Sequence, residues 1–326
     1  MPLDHYISQV HLKKFYSPVL DDQMYAIRKS DLKSFTPHSK DVCRINDGST
    51  NSYLKEDRSI EEFLKEIEPK YNTALEKLVK DEIDNECIYT IAGFAAYVIC
   101  CSPAGMRIKS GHLKSIVETE AAILERKGLL PSPPKTLGAE NVVELLRTGV
   151  LGVEIDPKFP QAFGISSIRR QVAIFGNFKW DILINDLDHS SFFTSDFPIA
   201  VEETKDPRIV NRIVPLAPNL AIRIRPDLAL DMGRADFSFA NFGCRRKNVG
   251  YKETVEINRM VVHCAENTVF SRDGPAWVQK FVARNRHYRI EPNTCKLPRG
   301  NGFVLFFTER VAKVASPSEA RSNDIS

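Results

Sequence analysis

"FPQAFGISSIRRQVAIFGNFKWDILIND", residues 159–186, is where the chain changes texture. Ile168, Val172, Phe175, Phe178, Ile182 and Leu183 recur mostly at steps of three and four, a spacing that predicts one long helix with these side chains toward the core. Before this stretch the apolar residues keep a helical period. After it they fall into short runs bounded by Pro, Asp, Asn and Gly. The fold class depends on this change, because helices gathered before it and strands after it describe an α+β chain rather than the strict alternation of a doubly wound sheet.

Upstream, "SIEEFLKEIEPKYNTALEKLVKD" (59–81) places Ile60, Phe63, Leu64, Ile67, Tyr71, Leu75 and Leu78 on one helical face. Ser59 with Glu62 three residues on predicts a capping box, and Pro69 a kink or break. Further helices are expected over Cys87–Cys101, His112–Arg126 and, beyond the Pro-rich loop "LLPSPPKTLG" (129–138), near Ala139–Thr148. The alternating runs "MYAIRK" (24–29) and "DVCRIN" (41–46) predict a small N-terminal sheet, the second closing on the Asp47-Gly48 turn.

Downstream, "SFFTSDFPIAVE" (191–202), "RIVNRIVPLAP" (208–218), "NLAIRIRPD" (219–227) and "DFSFANFG" (236–243) read as strands of a mixed, largely antiparallel sheet. Helices at about 254–266 and 275–284 interrupt before strands "YRIEPN" (288–293) and "FVLFFT" (303–308). The expectation is one large α+β domain over 1–315, helical over about 59–186 and β-rich over about 187–310, with a disordered polar tail at 316–326.

With 326 residues, 43% hydrophobic and 27% charged, the chain can build a sizeable core without metal or disulfides. A formal charge of +3 is too small to announce nucleic-acid binding by itself, so local clusters carry that argument. Seven cysteines without a CxxC pair predict reduced thiols in a cytoplasmic protein. No basic segment followed by an apolar run opens the chain, so a signal peptide is not expected. The apolar "IYTIAGFAAYVICC" (88–101) would be about 21 Å long as a helix, too short to cross a bilayer core of about 30 Å, so it is expected to be a buried central helix and no membrane contact is predicted.

Two polar stretches hold groups suited to chemistry. "DHYISQVHLKKF" (4–15) offers His5, Tyr6, Gln9 and His11, in which His5 has the natural pKa of a general acid or base and Gln9, four residues on, could orient it. "FFTSDFPIAVE" (192–202) sets Thr194, Ser195 and Asp196 at the end of an apolar strand, as site residues or as a turn in which Asp196 accepts backbone N–H groups. No G-x-S-x-G elbow surrounds Ser195, no metal-ligand spacing is present and no Gly-rich phosphate loop appears, so no metal and no cofactor are expected. Basic groups cluster at Arg169–Arg170, Arg223–Arg225, Arg245–Lys247 and Arg284–Arg289, the last two interleaved with aromatics as in segments that pair phosphates and stack on bases, although such runs also occur as solvated faces.

These two stretches occur together in one family. "HYISQVHLKKF" resembles the H-[HY]-[VI]-P-Q-x-x-L-[RK]-x-F start, and "FFTSDFPIAV" the F-[IL]-T-S-D-x-P-[VA] centre, of the bacterial family called domain of unknown function 4238. "FKWDILIND", "VPLAPNLAI" and "INRMVVHCAENTVFS" add to the resemblance, which covers residues 4 to 271. Ser8 replaces the usual Pro and Phe197 the usual Asn.

Some members are reported as single-gene anti-phage proteins, so the resemblance implies a defence role. The expectation is an effector that cleaves or modifies nucleic acid, RNA preferred, by metal-independent acid–base chemistry. His5, Gln9, Ser195 and Asp196 would carry it, with Tyr6, Thr194, Arg107, Arg170 and Arg245 holding substrate. The alternatives are a non-enzymatic module that recognises a phage protein and a nucleotidyl or ADP-ribosyl transferase toxin. The partner is thus RNA or a phage protein, with the oligomeric state open.

Overall fold

The computed structural model describes residues 3–187, 189–274 and 276–314; the expected disordered tail lies outside the described residues. Helices and strands form an α+β arrangement with several small sheets. The chain opens with β1 (Leu3–His5), a single turn α1 (Gln9–Leu12), β2 (Tyr25–Arg28), β3 (Ser34–Phe35) and β4 (Arg44–Asn46). These strands do not make one sheet, contrary to expectation. β1 pairs with β4, whereas β2 lies between β3 and β11 (Thr268–Ser271), which in turn pairs with β6 (Thr194–Ser195). Ala26 and Ile27 are buried, and a short strand with two buried positions needs more than one neighbour to be stable, which here comes from the far end of the chain.

The helical part holds α2 (Ser59–Ile67), α3 (Tyr71–Lys80), α4 (Asn85–Cys101), α5 (Pro103–Arg126), α6 (Val142–Thr148), α7 (Phe159–Ser166) and α8 (Ile168–Gly176). Pro69 sits in the 3₁₀ turn that separates α2 from α3, as its missing N–H requires. The expected capping box is absent: Ser59 is the first helical residue, Arg58 occupies the cap, and its guanidinium pairs with Glu61 and with Asp4. α4 is buried on nearly every side, starts at the Asp84 cap and contacts α2, α3, α5, α7 and α8. No single helix is long and apolar enough to cross a membrane among the described residues.

The long helix expected over 159–186 is two helices and a strand, β5 (Lys179–Ile184). Asn177 ends α8, its amide donating to the carbonyls of Ala173 and Asp236 at 2.8 Å each. Phe178 and Ile182 fit a helical step, but Trp180 to Leu183 are all buried, and strands on both sides of β5 cover them better than one helical face would. β5 is flanked by β9 (Leu220–Arg225), antiparallel, and by β10 (Gly243–Asn248), parallel. β8 (Val210–Ala217) and β7 (Ala200–Glu203) complete the sheet in the order β10-β5-β9-β8-β7. "DFSFANFG" is a run of turns that buries Phe239, and the strand expected there lies just beyond it in β10.

α9 (Tyr251–Cys264) and α10 (Ala276–Asn285) follow, then β12 (Tyr288–Arg299) and β13 (Gly302–Lys313), a hairpin of twelve pairs running from Tyr288–Lys313 to Arg299–Gly302. Its base lies along α5: Pro292 meets Gly111, and His112 Nε2 is 2.9 Å from the Thr308 carbonyl. Nearly all the buried apolar side chains among the described residues form one connected cluster from Ile7 to Ile290.

Candidate functional site

The N-terminal motif is folded onto the TSD strand, but through residues other than those expected. His5 lies in β1 opposite Arg44; its carbonyl accepts the Tyr97 hydroxyl at 2.5 Å, and burial together with the Arg44 charge lowers its pKa. Gln9 Oε1 accepts from Ser39 Oγ at 3.3 Å, and Ser8 donates to Glu68 at 2.5 Å. His5 and Gln9 share no hydrogen bond among the described residues. His11 makes the connection, with Nε2 2.9 Å from Thr194 Oγ1 and Nδ1 2.8 Å from the Tyr71 hydroxyl.

His11 is fully buried, stacked on Phe94 at 4.6 Å with Phe15 at 5.3 Å. Removal from water pushes its pKa down to about 3, so the ring is neutral in the folded state. Since the folded value lies below the unfolded one, this histidine supports folding above about 6.5 and loses that contribution as pH falls. The wild type should therefore lose about 2 kcal/mol between pH 7 and pH 5 that a His11→Gln variant does not lose. Urea unfolding of both proteins at the two pH values checks this, and parallel pH profiles would refute it.

The next two motif residues hold backbone. Ser195 Oγ accepts the Phe197 N–H at 3.1 Å, a local turn. Asp196 accepts three backbone N–H groups, Glu266 on Oδ1 at 2.9 Å and Asn267 and Thr268 on Oδ2 at 2.8 and 2.9 Å. It thus fixes the chain between α9 and β11. Burial pushes this carboxyl up to about 6, against the three N–H groups and the charge of Lys29.

Lys29, buried beside it, donates to the carbonyls of Ala265 and Tyr288 at 2.6 and 2.9 Å, and burial lowers its pKa to about 8. Burial, and then Cys43 and Asp196, raise the Tyr6 phenol. Arg107 forms a fork with Glu266 at 3.0 and 2.7 Å, reaches Glu291 at 2.9 Å and the Ile290 carbonyl at 2.9 Å. Tyr6, Asp196 and Arg107 thus belong to one polar cluster around Lys29 and Glu266. Its lysine, aspartate and arginine are occupied by internal partners, an arrangement that clasps chain segments together.

Arg245 belongs to a second cluster, on the sheet. Asp181 of β5 is fully buried at 0% exposure. Arg245 in β10 binds it through Nε at 2.8 Å and NH2 at 3.1 Å, Arg225 in β9 through Nε at 3.0 Å, and Arg223 NH1 lies 3.5 Å away. Burial would raise this carboxyl, yet the Arg245 hydrogen bond and the charges of Arg225, Arg245 and Arg223 hold it below the usual range. Arg223 also meets Glu202 and Glu253, whereas Arg225 and Arg245 are 37% and 62% exposed.

The other basic residues have separate tasks. Arg170 lies apart, donating to the Met232 carbonyl at 2.8 Å; Arg169 pairs with Glu66; Arg246 holds the carbonyls of Leu78 and Val79; Arg286 holds those of Lys29 and Ser30. No group of three or more His, Cys, Asp or Glu able to hold a metal ion occurs among the described residues.

Compared with known families, residues 4–275 match the one described as "Protein of unknown function (DUF4238)". The chain belongs to this family. No curated protein and no solved structure matched it. The DUF4238 match ends before α10, so the β12–β13 hairpin lies beyond it while supplying Glu291 to the Arg107 clasp.

Within the DUF4238 region, sequence reasoning noted His11 without giving it a role, and missed Lys29, Glu266 and Asp181. For His11 a signal existed: it is flanked by Val10 and Leu12 and stands four residues before Phe15, a core-facing setting. Asp181 likewise stands between Trp180 and Ile182, where a carboxylate in an apolar strand calls for cations on the neighbouring strands.

Proposed function

We propose that this DUF4238 chain is a phage-defence protein that engages nucleic acid, RNA in preference to DNA, through the cationic face of its five-stranded sheet. The observation that carries this reading is the Arg225–Arg245 pair. Asp181 engages Nε and NH2 of Arg245 but Nε alone of Arg225, which leaves NH1 of Arg245 and both terminal nitrogens of Arg225 without a hydrogen-bonded carboxylate among the described residues. Guanidiniums fixed in this way lose little entropy on meeting a phosphate.

Lys247, two residues further along β10 on the same face, is paired with Glu253 at 2.7 Å, and Tyr251, 57% exposed, follows at the start of α9 beside the His189 ring at 6.1 Å. An exposed ring four residues beyond the last cation of β10 suits an unpaired base, which favours single-stranded RNA. The competing role for a charged edge strand is to block aggregation, which would need no paired orientation of the arginines. The defence role rests on the family resemblance. The geometry supports recognition here more than acid–base chemistry at His5 and Asp196, which share no hydrogen bond, Asp196 being taken up by three backbone N–H groups.

Fluorescence anisotropy with a labelled single-stranded RNA tests the proposal. Arg225→Gln/Arg245→Gln should weaken binding about tenfold and reduce the salt slope by about 1.4, as two lost phosphate contacts require. Unchanged affinity with a folded variant refutes it. A phage-protein sensor is the second reading, favoured by Leu129, Val150 and Phe163, exposed at 65%, 58% and 55% on the helical side. It predicts no RNA affinity and co-purification with a phage protein from infected cells.

A further inference from the structure

A cavity of about 170 Å³ lies where α4, α5 and α8 meet the base of the β12–β13 hairpin. Its apolar walls include Ile108, Phe175, Phe197 and Phe307. Four polar side chains, Lys109, Gln171, Arg212 and Glu309, also line it. Arg212 and Glu309 neutralise each other at 2.6 and 2.9 Å, and the Arg212 guanidinium rests 5.6 Å over the Phe175 ring. Lys109 has no such counter-charge. Its Nζ is 3.7 Å from Cys100 Sγ, and among the described residues no carboxylate lies within 4.0 Å of it. The Gln171 amide has no hydrogen-bond partner among the described residues either.

A chamber walled by aliphatic and aromatic side chains that also presents one unbalanced cation and one free amide fits a ligand with a compact apolar body and a single negative charge. A phosphate dianion would leave one charge unanswered, and a cation would face Lys109 with Glu309 already taken. An engineered cavity of about 150 Å³ holds benzene, which sets the size at about six to nine non-hydrogen atoms. We propose that this cavity binds a small aromatic or short-chain carboxylate, with Lys109 as counter-ion and Gln171 as the second polar contact. Phe197 follows Asp196 in the family motif, while Phe307 and Glu309 come from the hairpin beyond the family match. The ligand therefore fastens the hairpin to the body. This site is separate from the cationic sheet face, and RNA binding does not bear on it.

Titration of the full chain with benzoate and with hexanoate, followed by calorimetry and thermal unfolding, tests the proposal. At least one acid should bind saturably and raise the unfolding temperature. Lys109→Met should weaken that binding about ten- to hundredfold while leaving RNA affinity unchanged. Benzamide, of the same shape without the charge, should bind the wild type more weakly than benzoate. Val201→Phe, which fills the chamber, should abolish binding; if that variant does not fold, the benzamide comparison still decides. Absence of saturable binding for both acids, or equal affinity in wild type and Lys109→Met, overturns the assignment.

Discussion

Asp196→Ala is expected to lower stability by about 3–5 kcal/mol, and by more than any other substitution in the two polar stretches 4–15 and 192–202. The carboxylate accepts three backbone N–H groups of residues 266–268 and lies beside the buried Lys29 ammonium. Removing it leaves three donors without an acceptor and withdraws one of the negative charges that act on the buried Lys29 ammonium. Asp196→Asn keeps the shape but turns an amide N–H₂ toward an N–H donor, so it should lose about 1–3 kcal/mol.

Ser195→Ala, which deletes a single turn bond, should lose about 1 kcal/mol. Since burial raises Asp196 to about 6, its ionisation weakens the fold as pH rises through that value, a dependence absent from Asp196→Ala. Chemical denaturation of the three variants checks the order. Wild-type stability in Asp196→Ala together with lost phage protection would return this residue to a chemical role.

The second large effect is expected at Asp181. Asp181→Ala should lose about 3 kcal/mol or more, because it leaves the charges of Arg223, Arg225 and Arg245 facing one another at the middle of the sheet. Combining it with Arg223→Met should recover part of the loss, since the most buried of the three guanidiniums is then gone. A double-mutant cycle by urea unfolding measures this. Additive losses would show that Asp181 does not hold the arginines together.

How much of this was legible in the sequence depends on distance along the chain. α2 and α3 could be read because their faces repeat within a few residues and their partners do not alter the period. The end of α8 could not. Phe178, Ile182 and Leu183 continue a helical face, and only β9 and β10, more than 30 residues later, make Lys179–Ile184 a strand.

The motifs follow the same rule. Their polar residues stood out, and the turn alternative for Asp196 was visible in its chemistry. Which histidine would reach Thr194 was not, since Tyr71, Phe94 and Phe15 select His11 by enclosing it. The cations of β9 and β10 were visible as composition, whereas their division into pinned and solvent-facing groups follows from Asp181, whose role depends on three strands meeting.

The sheet-face account is tested most directly by ultraviolet crosslinking of the chain to single-stranded RNA, with the attachment sites mapped by mass spectrometry. The account predicts attachment within residues 243–251, with Tyr251 foremost, and its loss in Arg225→Gln/Arg245→Gln. Attachment confined to residues 5–11 and 194–196 would contradict it and place recognition at the N-terminal motif.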